Sequence, residues 1–313
     1  MFNPEKDRHI IVNYHYVQDP DPKFSGIVPC LIKEFDRQIE FLSRNYRIVL
    51  IPEVWKAAEY NSDERVCAIT FDDGLKDNYQ NALPILKKYS APATEFVITS
   101  TFEGRLPAAH KVQVILSHRP IGELVDFFND FIKEFYPDLK DQYWIPHDRR
   151  ITTRRLHEST PVANLKETII ALPEDIRGRF LRHAFKIFKL DEENIGEYLF
   201  MNKKELAEMA AAGIELGSHS HNHYTMTGDN EEALRKDVQL SREIIKETSG
   251  SYPRVFSYPH GRASDVAVRV VREAGFISGV GIDRGSLAVG QDPLLLPRYD
   301  TMDIRDYLNG QHS

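Results

Sequence analysis

The sequence predicts an α/β protein: a mostly parallel sheet with helices outside it, either open or closed as a barrel. Three observations lead there. Short β-branched and aromatic runs alternate with amphipathic helical runs in both end regions of the chain, the pattern of strand-helix-strand units. Several helical runs end on Ala-Gly or Ser-Gly, at Gly213, Gly250 and Gly275, where a glycine closes the last turn. Between Thr99 and Met201 the rhythm stops for about a hundred residues, where a connection needs only ~2–6. In either form of such a sheet, chemistry belongs at the C-terminal ends of the strands.

The elements follow in order. "HIIVNYHYV", from His9, is a strand rich in β-branched and aromatic residues. "CLIKEFDRQIEFLSRNY" places Leu31, Phe35, Ile39 and Leu42 on one helical face. The strand "RIVLI", a short helix at "PEVWKAAEY" and the strand "VCAITF" come next, the last running into "DDG". The helix "DNYQNALPILKKY" and the strand "ATEFVIT" close the first half. After the gap come the helix "KKELAEMAAAG", the strand "IELGSHS" and the helix "EEALRKDVQLSREIIKETSG". The strand "VFSYP", the helix "DVAVRVVREAG" and the strand "ISGVGI" end the series. The middle stretch is not low-complexity. "PIGELVDFFNDFIKEFY" sets Ile121, Leu124, Val125, Phe128, Phe131, Ile132 and Phe135 on one stripe, and two more helices flank Pro173. It reads as a helical insertion over residues 101–199, on the active-site side of a domain built from residues 1–100 and 200–313. Its aromatic stripe is its own core, a homo-oligomer interface or a substrate lid.

Bulk properties exclude several classes. A chain of 313 residues with net charge −7 has no basic run long enough to follow a phosphate backbone, so nucleic acid is not expected as a partner. The densest basic patch, Arg149-Arg150 with Arg154-Arg155, reads as a solvated helix face. No segment approaches the ~20 apolar residues of a membrane span. The first apolar run is too short and polar for a signal peptide, which gives the expectation of a cytoplasmic protein. Two cysteines, Cys30 and Cys67, make neither a disulfide framework nor a thiolate metal site.

Two motifs carry chemistry. "AITFDDG" brings Asp72 and Asp73 to the end of a strand. Neighbouring carboxylates repel, so holding both there is costly without a cation or a proton. One Asp suffices for a turn, whereas a metal-dependent hydrolase uses two, one as ligand and one as base. "GIELGSHSHNHYTMT" carries His219, His221 and His223. In an extended chain all three share a face. In a chain that turns after Gly217, His219 and His223 share it and His221 points away.

"TFDDG" together with "HSHNH" resembles the first two motifs of the polysaccharide deacetylase family, the carbohydrate esterases with a NodB-like domain. The resemblance implies a distorted (β/α) barrel of mostly parallel strands, here with a large helical insertion. It implies that Asp72 is the catalytic base, and that Asp73, His219 and His223 hold one divalent metal ion while His221 does not. Zinc is the first expectation for the ion, with cobalt, nickel or manganese as alternatives. "FSYPHG" resembles the third motif, a wall of the substrate groove, and brings in Tyr258, Pro259 and His260. The backbone N–H of Tyr258 is expected at the oxyanion, by analogy. Where the family often has an arginine paired with the base, this chain has Ser257. The late motif with a catalytic histidine is also missing, since the corresponding strand reads "LLLPRYDTMD". One branch of the family begins with a strand ending Tyr-His and finishes with Leu-Pro-Arg-x-Asp, as here at Tyr14-His15 and Leu296 to Asp300. His15 is therefore expected as general acid and Arg298 as the cation beside Asp72. Leu295 or Leu296 is expected at the acetyl methyl group.

The function expected from this resemblance is hydrolysis of the acetamido group of an N-acetylated amino sugar, as a precursor in bacterial surface polysaccharide synthesis. Alternatives are the same chemistry on a formyl or ureide substrate, and a non-catalytic family member that binds a glycan or a partner.

Overall fold

The computed structural model describes residues 2–310 except 154, 157, 227–229 and 282. These form two compact units, one of residues 1–19, 29–105 and 196–313, the other of residues 20–28 and 106–195.

The larger unit is built on eight strands: β1 (His9–Tyr14), β2 (Arg47–Ile48), β3 (Val66–Phe71), β4 (Ala93–Val97), β5 (Glu215–Ser218), β6 (Val255–Ser257), β7 (Ser278–Val280) and β8 (Tyr299–Asp300). Their order is β7-β6-β5-β4-β3-β1-β8, with β2 on β3, and every pairing is parallel. β4 pairs with Ile69–Phe71 of β3, which leaves the first half of β3 to β2. The segment leading into β8 then reaches back to β7, where Leu296 N–H donates to Gly279 and its carbonyl accepts from Gly281. The two ends of the strand order are thereby brought together in a distorted (β/α) barrel, as expected.

Both faces of the strands are buried, as a parallel sheet with helices outside requires. Alternate residues serve different cores. Ile11, Val66, Ala68, Phe96, Val255, Val280 and Leu296 form one cluster on the lumen side, closed below by Ile51, Val54 and Ala58 of α2 (Ile51–Glu59). Ile10, Val12, Tyr14, Cys67, Ile69, Phe71, Ala93 and Val97 face the outer layer, meeting α1 (Ile32–Asn45) through Phe35, Ile39 and Leu42. Leu31, expected on that helical face, is instead the N-cap residue and is 40% exposed. The helix expected from "DNYQNALPILKKY" begins as a π-helical turn at Asn78–Ala82 and becomes α3 at Leu83–Lys88. Pro84 sits in the first turn of α3, where a missing N–H costs nothing. Cys30 and Cys67 are free and buried. No described helix is long and apolar enough to cross a membrane.

In the second unit, α4 (Ala108–Leu116), α5 (Ile121–Phe135), α6 (Lys140–Tyr143), α7 (Thr160–Ala171) and α8 (Glu174–Ile187) pack together. The α5 stripe buries Leu124, Val125, Phe128, Phe131 and Ile132, and Phe128 and Phe131 meet Phe180 of α8 edge-on. That stripe is this unit's own core. The residues 20–28 are a recruit from far away in sequence, with Gly26 N–H donating to Ser117 Oγ. The Arg149-Arg150 patch is not a solvated helix face. It lies in the connection before α7, where Arg150 donates to the carbonyls of Arg155 and Glu158 and Arg155 pairs with Glu167; Arg154 lies outside the described residues, as does Ile282 of the last expected strand. α9 (Glu192–Leu199), α10 (Lys203–Ala211), α11 (Glu231–Ser249), α12 (Asp265–Glu273) and α13 (Thr301–Leu308) complete the chain.

Gly217 marks how tightly the lumen is filled. A Cβ there would lie 2.4 Å from the Phe96 ring and 3.0 Å from a Val255 methyl. Gly217→Ala should therefore lower stability by about 1–3 kcal/mol, the usual cost of overpacking. A denaturant titration with an unchanged midpoint would contradict that close packing.

Candidate active site

The site sits where β1, β3, β5 and β6 end. β3 delivers Asp72 and Asp73 side by side, and the backbone then separates their tasks. Asp72 N–H is still in register, donating to the Tyr14 carbonyl at 3.0 Å. Asp73 turns into the left-handed region with φ 84°, and Gly74 follows with φ 78°. The two carboxylates thus take different partners.

Asp72 is clamped by Arg298, which reaches across from the segment before β8. Nη1 donates to Oδ1 at 2.9 Å and Nη2 to Oδ2 at 2.8 Å. The same guanidinium donates to Asn13 Oδ1 at 2.7 Å, Ser257 Oγ at 3.2 Å and the Gly281 carbonyl at 3.2 Å. Asn13 returns a bond to Asp72 Oδ2 at 3.3 Å. Arg298 and Asp72 are 7% and 3% exposed. Burial on its own pushes Asp72 upward, but Arg298, with His219 and His15, overcomes it and holds the carboxyl down at about 2. The guanidinium expected beside the base is present, and it arrives next to Ser257.

The second motif folds as a turn. After β5, Ser220 takes φ 66° and His223 φ 57°. Ser220 Oγ accepts from His223 N–H at 3.0 Å, and Asp237 of α11 accepts from the backbones of His221 and Asn222, both at 2.9 Å. This turn brings the His219 and His223 rings to 4.7 Å between centroids. His221 is drawn the other way. Its Nε2 lies 3.0 Å from an Arg105 nitrogen, which can only donate. Nδ1 therefore carries the proton and donates to Thr99 Oγ1 at 2.9 Å. His221 braces the loop, outside the group that Asp73, His219 and His223 form.

Asp73 Oδ1, His219 Nε2 and His223 Nε2 converge. The nitrogens are 3.2 Å apart and lie 3.5 and 3.7 Å from the oxygen. Bonds of about 2.1 Å at a tetrahedral centre need donors about 3.4 Å apart, so the spacing fits one divalent ion. These three residues are a group able to hold a metal ion, and all are buried. His219 Nδ1 is 2.7 Å from the Ser257 carbonyl, which keeps the proton on Nδ1 and turns the Nε2 lone pair to the site.

The remaining expected residues divide. His15 Nε2 lies 4.0 Å from Asp73 Oδ2 with its side chain 46% exposed. His260 packs its ring on His223 at 4.7 Å and has φ 57°; Pro259 is buried in the turn before it. Tyr258 has to be corrected. Strand alternation points its ring outward into the cluster of Phe256, Val271 and Phe276, its hydroxyl has no hydrogen-bond partner, and its N–H is already committed to the Val280 carbonyl at 3.1 Å. It supplies no oxyanion donor. Leu296 is a core residue beside Val280 and Leu287, 1% exposed, whereas Leu295 is 46% exposed. Asn13 was missed. A polar residue two positions before His15 in an apolar strand was the signal.

Residues 59–116 and 185–278 match the family model "Polysaccharide deacetylase". The chain is 41% identical over 269 residues to the Bacillus subtilis (strain 168) protein "Putative polysaccharide deacetylase YxkH", covering 85% of this chain and 63% of that one. It is 25% identical over 187 residues to the poly-beta-1,6-N-acetyl-D-glucosamine N-deacetylase of Staphylococcus aureus (strain MRSA252), covering 59% of this chain and 58% of that one. The chain thus spans about three fifths of the length of these relatives. Among solved structures, the Streptococcus pyogenes deacetylase PplD superposes with TM-score 0.61 at 18% identity over 97% of this chain and 98% of that one. IcaB from Ammonifex degensii gives 0.57 at 17% over 94% and 91%. At such identities the structures speak for the fold alone.

Removing Arg298 should expose the strength of the clamp. Arg298→Ala leaves a buried carboxylate uncompensated, at a cost of about 3–5 kcal/mol at neutral pH. The sign with pH follows from the lowered carboxyl. In the wild type its stabilisation is full above the unfolded value near 4 and is lost as pH falls toward about 2. In the variant only His219 and His15 oppose burial, and Asp72 protonates at a higher pH than in the wild type. The deficit should narrow as pH falls toward 4, and a pH-independent deficit would contradict the clamp. The matched motifs and the barrel that presents them lead to one assignment: the chain belongs to the polysaccharide deacetylase family.

Proposed function

We propose that the protein is a metal-dependent N-deacetylase that hydrolyses the acetamido group of N-acetylated amino sugars in bacterial surface polysaccharide. The observation that carries this reading is the separation of roles at Asp72 and Asp73: one carboxylate is held ionised by Arg298, and the other faces two imidazoles at metal-ligand spacing. The staphylococcal relatives, named as poly-beta-1,6-N-acetyl-D-glucosamine N-deacetylases, support a polymer of N-acetylglucosamine as substrate. The expected precursor substrate, nucleotide-linked or lipid-linked, becomes the comparison to test.

Asp73, His219 and His223 would hold the ion. When bound, a divalent ion polarises the acetyl carbonyl and acidifies the attacking water, which matters because a base as weak as Asp72 takes a proton only from an acidified water. Asp72 receives that proton, with Arg298 and Asn13 fixing both carboxylate oxygens so that it stays in place as its charge changes. His15, at the exposed rim beside Asp73, gives a proton to the departing amine, since a C–N bond leaves poorly without one. Leu295 and His260 are the remaining candidates for substrate contact.

The test is acid release by metal-reconstituted protein, with acetate and formate measured separately. The substrates are β-1,6-linked N-acetylglucosamine oligomers, chitooligosaccharides and nucleotide-linked amino sugars. Acetate from the β-1,6 oligomers, abolished by chelation, is the expected result. Formate release, or acetate only from nucleotide-linked sugars, would overturn the substrate assignment. Asp72→Asn should keep its metal and lose turnover by about 10²-fold or more. His15→Ala should slow turnover at unchanged metal content, and loss of the metal would make His15 a ligand instead.

A further inference from the structure

Behind the site, on the outer face of the sheet, lies a buried polar group that the chemistry above does not use. Glu95, in the middle of β4, is fully buried on the strand face it shares with Ala93 and Val97, a face otherwise apolar. Its Oε1 accepts from Gly74 N–H at 3.1 Å. Gly74 immediately follows Asp73, and both residues are in the left-handed region. Glu95 therefore grips the backbone of the turn that aims the Asp73 carboxylate. Its Oε2 has no hydrogen-bond partner, and burial pushes the carboxyl well above its usual range.

Asn78, also fully buried, extends the grip. Its amide nitrogen is best placed toward the His15 carbonyl at 2.9 Å and Asp77 Oδ1 at 3.2 Å, the orientation that satisfies both neighbours. Its oxygen then faces Glu95 Oε1 at 3.5 Å, a contact that is favourable when Glu95 carries the proton. Asp77 in turn accepts from Val17 N–H at 2.9 Å, and Asn81 donates to the Val17 carbonyl at 2.8 Å. The π-helical turn thus binds the chain on both sides of Tyr16, while Glu95 binds the turn after Asp73.

We propose that Glu95 and Asn78 are positioning residues, which together lock the Asp73–Gly74 turn to the His15 end of β1 and so set the distance between the metal ligand and the proton donor. The idea rests on the metal-dependent reading above. An apolar side chain of similar size would fill the space at 95 more cheaply, since a buried polar group costs free energy unless it is bonded. What Glu95 adds is an acceptor for one particular N–H.

The experiment compares wild type with E95L, E95Q and N78A in the 313-residue chain. The readouts are the zinc dissociation constant by competition with a chelating dye, the thermal midpoint, and kcat and KM for acetate release. E95L should fold but bind zinc about 10–100-fold more weakly, the usual effect of losing a group that orients a ligand. E95Q keeps an acceptor for the Gly74 N–H, and should recover most of the wild-type affinity that E95L loses. N78A should fall between E95L and E95Q in affinity, and should lose kcat with KM unchanged.

Wild-type zinc affinity in folded E95L overturns the proposal, as does equal weakening in E95L and E95Q. If E95L does not fold, N78A decides, and wild-type affinity there overturns the bridge. Should the deacetylase reading itself be wrong, wild type would release no acetate either, yet the order of zinc affinities would still stand.

Discussion

Two adjacent carboxylates, Asp72 and Asp73, sit together in a place that water barely reaches. Much of the site's architecture answers that constraint. Like charges at neighbouring positions repel, and burial penalises each of them. Arg298 neutralises the first from the segment before β8, more than two hundred residues away in sequence. The second faces His219 and His223, which together make a donor set for a cation. A left-handed residue at 73 lets one chain segment serve both ends.

The barrel makes this geometry possible and the backbone strain shows what it requires. Asp73, Ser220, His223 and His260 all take positive φ, a conformation costing roughly 1–2 kcal/mol for residues other than glycine. Such strain persists only where surroundings over-determine it. Here they do. Asp237 and the Ser220 hydroxyl hold the histidine turn, the Gly74 carbonyl accepts from Met201 N–H, and the Gly74 N–H is taken by Glu95. At the candidate site, strain and compensating bonds occur together.

Much of this was legible in the sequence, for specific reasons. Alternating strand and helix runs gave the fold class, and the Asp-Asp and His-x-x-x-His patterns named the converging residues because their chemistry is hard to rationalise otherwise. Arg298 was found through the resemblance of the last strand, where spacing alone could not pair it with Asp72. The misreadings have physical causes. Tyr258 is assigned by motif position, while the period-two alternation of a strand sends its ring outward and its N–H is taken by the Val280 carbonyl. Leu31 fitted a helical face but serves as the cap where the helix begins. Asn13, Asn78 and Glu95 act through contacts 17 to 285 residues apart, which no local pattern encodes. The recruitment of residues 20–28 into the helical unit is illegible for the same reason.

Everything turns on where a divalent ion binds. The most direct measurement is anomalous diffraction at the zinc edge from crystals of the zinc-loaded protein. The account predicts one strong peak bonded to Asp73 Oδ1, His219 Nε2 and His223 Nε2, with Asp72 still paired to Arg298. A peak held by Asp72, His15 or His221 in place of any of these three, or zinc found only elsewhere on the protein, would contradict it.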